Sequence, residues 1–287
     1  MLHYGLHVKN WGRRVKPSRL KAMQIFVSNN RSYAGHRWSD QDVSRFRQTL
    51  AQHPTLTPAT IVVHGGYLID LAADRDVELK TGSVDGLSPD SKLAKSLAKL
   101  TSELELTTRL GLQHYVLHPG ICKSTSPVIR QHAHRLAGRR IGQVCHQFSE
   151  VKILVENMTG KSKLGWTPEE CGEILQAAKA CGATNVGLCV DTAHLWGAGL
   201  DPETAFDAFE RCCGSIDVLH LNDSAVKHGA NLDRHAVPGQ GQIPPHYFET
   251  WVQDPRFRDI PVIVECQADT TLLMERLVTT GSLQINT

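Results

Sequence analysis

Val186-Gly187-Leu188-Cys189-Val190-Asp191-Thr192-Ala193-His194 is an apolar run that ends in a carboxylate, with an imidazole three residues further on. A short run of this kind, entered through a glycine, reads as a parallel strand buried on both faces, and the polar residues that stop it stand at its C-terminal end. That end is where barrels and doubly wound α/β proteins keep their chemistry.

The same pattern recurs along the chain. Ile61-Val62-Val63 ends at His64, Tyr115-Val116-Leu117 at His118, Ile153-Leu154-Val155 at Glu156, Val218-Leu219 at His220, and Val262-Ile263-Val264 at Glu265. Any one of these side chains alone reads more readily as a hydrogen-bonded structural residue. Together with Asp191 they gather carboxylates and imidazoles on one rim, which a structural reading does not require.

Strands are expected over residues 3–8, 24–27, 61–64, 114–118, 152–157, 186–192, 216–222 and 261–266. Helices are expected from the Ser39-Asp40 cap to 52, over 88–110, 127–149, 168–181, 202–212, 246–252 and 270–279. The helical starts follow Ser-Pro, Pro and Ser-Asp signals, and Leu93, Leu97, Leu100, Leu104 and Leu106 form a core-facing stripe. Between the first two strands, Pro17 to Ala22 leaves room for a helical turn or two, so the first β/α unit is abbreviated. Strands alternating with helices, without hairpin signals, predict a parallel α/β sheet. Because most strand ends contribute to one rim, a closed TIM-type (β/α)8 barrel with its site at the C-terminal rim explains the pattern better than an open sheet. The chain of 287 residues is then a single domain over 1–287.

With 41% hydrophobic and 21% charged residues there is material for a large core. No run of about 18 apolar residues exists, and the N-terminal stretch lacks a signal-peptide pattern, so a soluble, intracellular, non-membrane protein is expected, its compartment unspecified. The eight cysteines show no C-x-x-C and read as reduced core thiols in a reducing compartment. Neither Cys189 nor Cys145 sits in the electropositive setting of a nucleophile. A net charge of +2 does not announce a polyanion partner, yet it counts the rim carboxylates as ionised. Divalent cations bound there would add positive potential that composition hides.

His64, His118, Glu156, Asp191, His220 and Glu265 offer only nitrogen and oxygen donors, which suits Zn²⁺, or Mn²⁺ in one or more positions. His194, and the Asp233-Arg234-His235 segment with its D-x-H spacing, could hold a third ion; the plainer alternative is a first-turn helix histidine and a loop hydrogen-bond pair. Glu156 is the natural bridge between two cations, and a water between such cations is acidified toward neutral pH.

These motifs, in order and spacing, resemble the endonuclease IV-type apurinic/apyrimidinic (AP) endonucleases over almost the whole chain. The resemblance is carried by Gly5-x-His7-Val8, His64-x-x-Tyr67-Leu68-Ile69-x-Leu71, His118-Pro119-Gly120, Glu156-Asn157-x-x-Gly160, Val190-Asp191-Thr192-x-His194, His220-Leu221-Asn222-Asp223, Asp233-Arg234-His235 with Gly239-x-Gly241, and Pro261-x-Ile263-x-Glu265. It implies a barrel that binds three zinc ions and cleaves DNA on the 5′ side of an abasic site, leaving a 3′-OH and a 5′-deoxyribose phosphate, with removal of blocked 3′ ends as well. By the same resemblance His64 and His118 hold one ion, Asp191, His220 and Glu265 a second, and His194, Asp233 and His235 the third. Glu156 bridges the first two, and Glu156 and Glu265 are the catalytic carboxylates. Arg31, Tyr67 and Leu68 match positions that enter the DNA at the lesion, where a missing base makes distortion least costly. The implied partner is double-stranded DNA with an abasic site or blocked 3′ end, acted on by a monomer.

The chain departs from the family pattern in its short first connection, in Gly65-Gly66, in Lys161 and Lys163, which we take as phosphate contacts, and in Ala225, for which Lys227 can substitute. A sugar isomerase or epimerase on the same barrel also uses strand-end Glu, Asp and His, and is separated by His64, His118 and the His194, Asp233, His235 group. A DNA-binding module without catalysis needs no such rim.

Overall fold

The computed structural model describes residues 2–8, 20–74, 88–266 and 270–283. Parallel strands β1 (His3–Val8), β2 (Ala22–Ile25), β3 (Ile61–His64), β4 (His114–Leu117), β5 (Lys152–Glu156), β6 (Val186–Asp191), β7 (Ile216–His220) and β10 (Pro261–Val264) close into a barrel in the order β1-β10-β7-β6-β5-β4-β3-β2. Closure falls on β1, which pairs on both sides: Gly5 is in register with Ala22 and with Ile263. A side chain at Gly5 is excluded, since its Cβ would lie 1.7 Å from the carbonyl oxygen of Ala22. The TIM-type (β/α)8 expectation therefore holds.

Strand pleating explains the rim. Side chains alternate between the barrel interior and the helical layer. Val62, Val116, Leu154, Cys189 and Val218 form a buried interior cluster of their own, apart from the larger core between sheet and helices. Two residues further along each strand, on the same face, come His64, His118, Glu156, Asp191 and His220. Apolar side chains thus floor the barrel, and the polar ones stand directly above them at the C-terminal end.

Helices α1 (Asp40–Ala51), α2 (Lys92–Leu110), α3 (Pro127–Cys145), α4 (Pro168–Ala180), α6 (Ala205–Cys213), α7 (Pro245–Trp251) and α8 (Thr271–Thr280) accompany the strands. Ser39 and Asp42 make the reciprocal capping box of α1. Several expectations shift. Strand β2 starts at Ala22 and stops at Ile25, two residues early, so Gln24 faces the barrel interior near its mouth. Helix α2 is capped by Ser91, whose hydroxyl accepts from the Ala94 N–H, and not by Ser88-Pro89. Helix α3 ends at Cys145, short of 149, and α6 starts at Ala205 instead of 202. A short helix, α5 (Thr192–Ala198), begins directly after β6 with Asp191 as its cap, so His194 does sit in a first helical turn, the setting given above only as its plainer alternative. A small antiparallel pair, β8 (Asp223–Ser224) with β9 (His235–Ala236), also forms, although no hairpin was expected. The abbreviated first connection falls on residues 9–19, outside the described residues. Among the described residues no helix is long and apolar enough to cross a membrane.

Candidate metal centre

The structure brings the strand-end side chains together in three groups whose donor atoms lie within 4.8 Å of one another: His64, His118 and Glu156; Glu156, Asp191, His220 and Glu265; and Asp191, His194 and His235. Glu156 belongs to two groups, and so does Asp191. Glu156 Oε2 lies 3.1 Å from His118 Nε2 and 3.4 Å from His64 Nε2. Its Oε1 lies 3.1 Å from His220 Nδ1 and 3.3 Å from His194 Nδ1. Asp233 stands at the edge of the third group, 3.4 Å from His194 Nε2 and 3.2 Å from His235 Nε2. Glu265, one residue past β10, approaches His220 Nδ1 at 3.2 Å.

Secondary structure aims these donors. Asp191 caps α5 by accepting from the His194 N–H at 2.8 Å, which turns the His194 ring toward the cluster. The hairpin β8–β9 folds the 225–234 loop back so that Asp233 and His235 reach the third group. Asp223 holds that fold, accepting from the N–H groups of Gly239, Gly241 and Ile243 at 3.0, 2.8 and 3.0 Å.

The imidazoles are oriented by acceptors behind them. His64 Nδ1 meets the Gly65 carbonyl at 2.8 Å, His194 Nδ1 the Asn157 carbonyl at 2.8 Å, and His220 Nε2 the Gln24 Oε1 at 2.8 Å. A ring nitrogen that donates to such an acceptor leaves the other with its lone pair directed into the site, the arrangement a metal-binding histidine needs. The Gln24 amide also donates to Glu265 Oε1 at 2.6 Å, with His7 Nδ1 2.9 Å away. Asn222 donates to Asp191 Oδ2 at 2.6 Å and to Glu265 Oε2 at 3.0 Å. Asn157 Oδ1 accepts from the Asp191 N–H at 2.6 Å. Sequence reasoning did not single out Gln24, Asn157 or Asn222 as orienting groups. The signal available for Gln24 was its position two residues after Ala22 on an inward-facing strand.

Burial pushes the Glu156 carboxyl up, but His220 and His118, with bonds from His118 and His194, outweigh it and hold the group well below the usual carboxylate range. Glu265 is likewise held down against burial by His220 and His7. Burial pushes His194 down, yet Asp191, Asp233 and Glu156 raise it well above its ordinary value, and Glu265 and Glu156 do the same for His220. For His118 burial wins and lowers it. The imidazolium protons thus occupy the places of cations, and a metal arriving there displaces them. Glu156 Oε2, His194 Nε2 and His235 Nε2 are buried without a hydrogen-bond partner. Buried polar atoms of this sort rarely remain unsatisfied, so the donor set fits divalent cations.

The xylose isomerase-like TIM barrel family model matches residues 15–281. A protein named probable endonuclease 4 from Chloroflexus aurantiacus is 32% identical, over 90% of this chain and 87% of the relative, and one from Halorhodospira halophila is 31% identical over 86% and 80%. The chain belongs to the endonuclease IV family. The crystal structure of endonuclease IV from Thermus thermophilus superposes with a TM-score of 0.74 at 25% identity, covering 97% of this chain and 98% of that one. A D-tagatose 3-epimerase-like protein shares the fold, with a TM-score of 0.71 at 15% identity over 98% and 97%.

In this endonuclease IV-type chain the other expected residues stand around the mouth. Tyr67 and Leu68 are exposed, and the Tyr67 ring stacks on His118 with centroids 5.6 Å apart. Leu232, next to Asp233, is another of the few exposed large apolar side chains among the described residues. Arg31 is exposed on the loop after β2, and Lys161 is exposed with its Nζ 5.9 Å from the Trp166 ring, while Lys163 is half-buried. The cysteines are all free thiols. Burial pushes Cys189 and Cys145 up to about 12, which leaves them protonated and unsuited to nucleophilic attack.

Proposed function

We propose that this enzyme hydrolyses the DNA backbone on the 5′ side of an abasic site, leaving a 3′-OH and a 5′-deoxyribose phosphate, and that it removes blocking groups from 3′ ends at the same site. The reading assigns His64 and His118 to one zinc ion, Asp191, His220 and Glu265 to a second, and His194, Asp233 and His235 to a third, with Glu156 shared by the first two; Mn²⁺ can replace zinc in one or more positions. The observation that carries it is the shared-carboxylate cluster lying at the floor of a mouth edged by exposed Tyr67, Leu68 and Leu232. The ions, when bound, neutralise the phosphate and polarise the oxygens around phosphorus.

The protein's own groups then divide the work. Ionised Glu265, one residue past the end of β10, takes a proton from the attacking water at Oε2. Asn222 holds that oxygen with a 3.0 Å bond, and its own carbonyl fixes the Glu265 backbone. The water oxygen bonds to phosphorus, the bond from phosphorus to the 3′-oxygen breaks, and that oxygen takes up a proton from solvent water to leave as the 3′-hydroxyl, while Glu265 gives its proton up to solvent. Glu156 has bonding distance to histidines of every group and keeps the cluster at one spacing. Tyr67, Leu68 and Arg31 enter the duplex at the lesion, where lost stacking lowers the cost of distortion. Lys161 and Lys163 contact phosphates.

A sugar isomerase would share the barrel and the Glu, Asp, His, Glu set, but it has no use for His64, His118 and the Asp233 and His235 side chains in one cluster. The test is incubation with a duplex carrying one abasic site, with and without chelator. Nicking that chelator abolishes and zinc restores is the expected result. Sugar turnover without nicking would support the isomerase, and binding without nicking would reduce the protein to a DNA-binding module.

A further inference from the structure

Behind the mouth, helix α2 carries a charged pair that the site does not use. Lys99 and Glu103, one helical turn apart, are both sealed from solvent, with Nζ 3.3 Å from Oε1. Lys99 Nζ donates to the carbonyls of Asn29 at 2.8 Å and Ala34 at 2.6 Å, and to the Ser28 hydroxyl. It therefore grips both ends of the loop 28–34 that carries Arg31. Glu103 Oε1 accepts from that same Ser28 hydroxyl. Its Oε2 accepts from the Gly66 N–H at 3.1 Å and the Tyr115 hydroxyl at 2.6 Å, and so grips the loop 65–68 that carries Tyr67 and Leu68. The loops are also joined directly, since the Tyr67 N–H donates to the Asn30 carbonyl at 2.9 Å and the Tyr33 hydroxyl to the Leu68 carbonyl at 3.0 Å.

Resting on the abasic-DNA reading, we propose that Lys99 and Glu103 are positioning residues that lock these two loops into one preformed lesion-reading surface. Buried ion pairs add little stability over apolar side chains of the same volume. What they supply here is direction, because their bonds go to loop backbone or to hydroxyls packed against it. The pair also explains the Gly65-Gly66 departure from the family pattern. A Cβ at Gly66 would lie 2.9 Å from Lys99 Cε, and one at Gly65 2.7 Å from the Tyr115 hydroxyl. Small residues at 65 and 66, Tyr115, Lys99 and Glu103 form one unit in which the charged pair occupies the space that side chains on the loop would otherwise take.

The test uses the full-length, zinc-loaded protein and its Lys99→Met variant, on a duplex with one abasic site and the same duplex undamaged. Loosened loops raise KM for the abasic duplex on the order of tenfold or more. Zinc content, kcat and the affinity for undamaged duplex should stay within about twofold, because the cluster and the phosphate contacts are untouched. Amide exchange in 28–34 and 65–68 should accelerate without DNA. Unchanged exchange in those segments overturns the proposal, as does faster exchange with an unchanged KM, or an equal loss of affinity for both duplexes. Should Lys99→Met fail to fold, Ser28→Ala removes the hydroxyl that bridges the two charges and carries the same measurements. A wild-type protein that does not distinguish the duplexes would end the abasic-DNA reading; the exchange data alone would then decide whether the pair sets the loops.

Discussion

Gln24 makes the strongest case for a single side chain that matters without being a ligand candidate. Its amide joins His220 Nε2 to Glu265 Oε1, so it fixes one ring orientation and one carboxylate oxygen of the same donor group. Replacing it by Leu leaves a buried imidazole N–H without an acceptor, which costs about 1–3 kcal/mol. It also frees Glu265 to turn. Zinc affinity of Gln24→Leu, measured by competition with a chromophoric chelator, should fall by roughly 10–100-fold for one ion. Equal affinity in variant and parent would show that Asn222 suffices to orient Glu265. The six strand-end donors were legible because each closes an apolar run. Gln24 was not legible in that way. The apolar stretch Ile25-Phe26-Val27 drew the expected strand two residues too far along, and a shift of two keeps the inward face but moves the residue from the rim to the strand's start.

At the scale of elements, the loop 160–166 shows how a helix can hold a segment that has little regular structure. Arg130 of α3 donates to the carbonyls of Cys122, Lys161 and Lys163 at 3.0, 2.6 and 2.8 Å and pairs with Glu170 of α4. Glu170 in turn accepts from the N–H groups of Gly165 and Trp166 and from the Trp166 indole. Burial raises the Glu170 carboxyl, but His134 and Arg130 outweigh it and hold it below its ordinary value of 4.5. A carboxyl depressed in the folded state contributes stability that is present above its unfolded value and lost as pH falls through the folded one. Glu170→Gln should therefore cost about 2 kcal/mol near neutral pH. The gap to wild type should close in thermal melts taken progressively below pH 4.5. A gap that is constant down to about pH 3 would mean the charge is not what holds the loop. The same loop carries Lys161 and Lys163, and their double Ala variant should reduce the salt slope for DNA binding by about one to two units. Main helices and strands were readable from caps and periodicity, whereas α5 was not. Its seven residues follow β6 with no turn residue between, and Asp191 is both strand end and helix cap. The β8–β9 pair escaped because two residues per strand carry no alternation to detect.

For the whole molecule, the question is whether the barrel makes the cluster or the cluster makes the barrel. The strand-end donors come from separate strands around a closed sheet whose apolar interior and outer core each pack without any ion. In the absence of metal, the raised imidazoles of His194 and His220 already pair with Glu156 and Glu265 across the rim, so removing cations does not leave bare charges of one sign. This differs from a small zinc-folded domain, where ligands are most of the core and the apo chain is unfolded. Chelated protein should keep its far-UV circular dichroism and still melt cooperatively, at a lower temperature. Returning zinc to about a thousandfold above a site's Kd should restore about 4 kcal/mol for that site. Substituting Glu156 by Gln should weaken that restoration at more than one site, because its oxygens serve two donor groups. Replacing Asp233 should affect one site alone, since its ion pairs among the described residues are with His194 and His235 of the third group. Loss of the far-UV signal on chelation at room temperature would reverse the order of causes and make the ions a condition of folding. Retention of the signal with graded, site-specific restoration is what a preformed barrel rim requires.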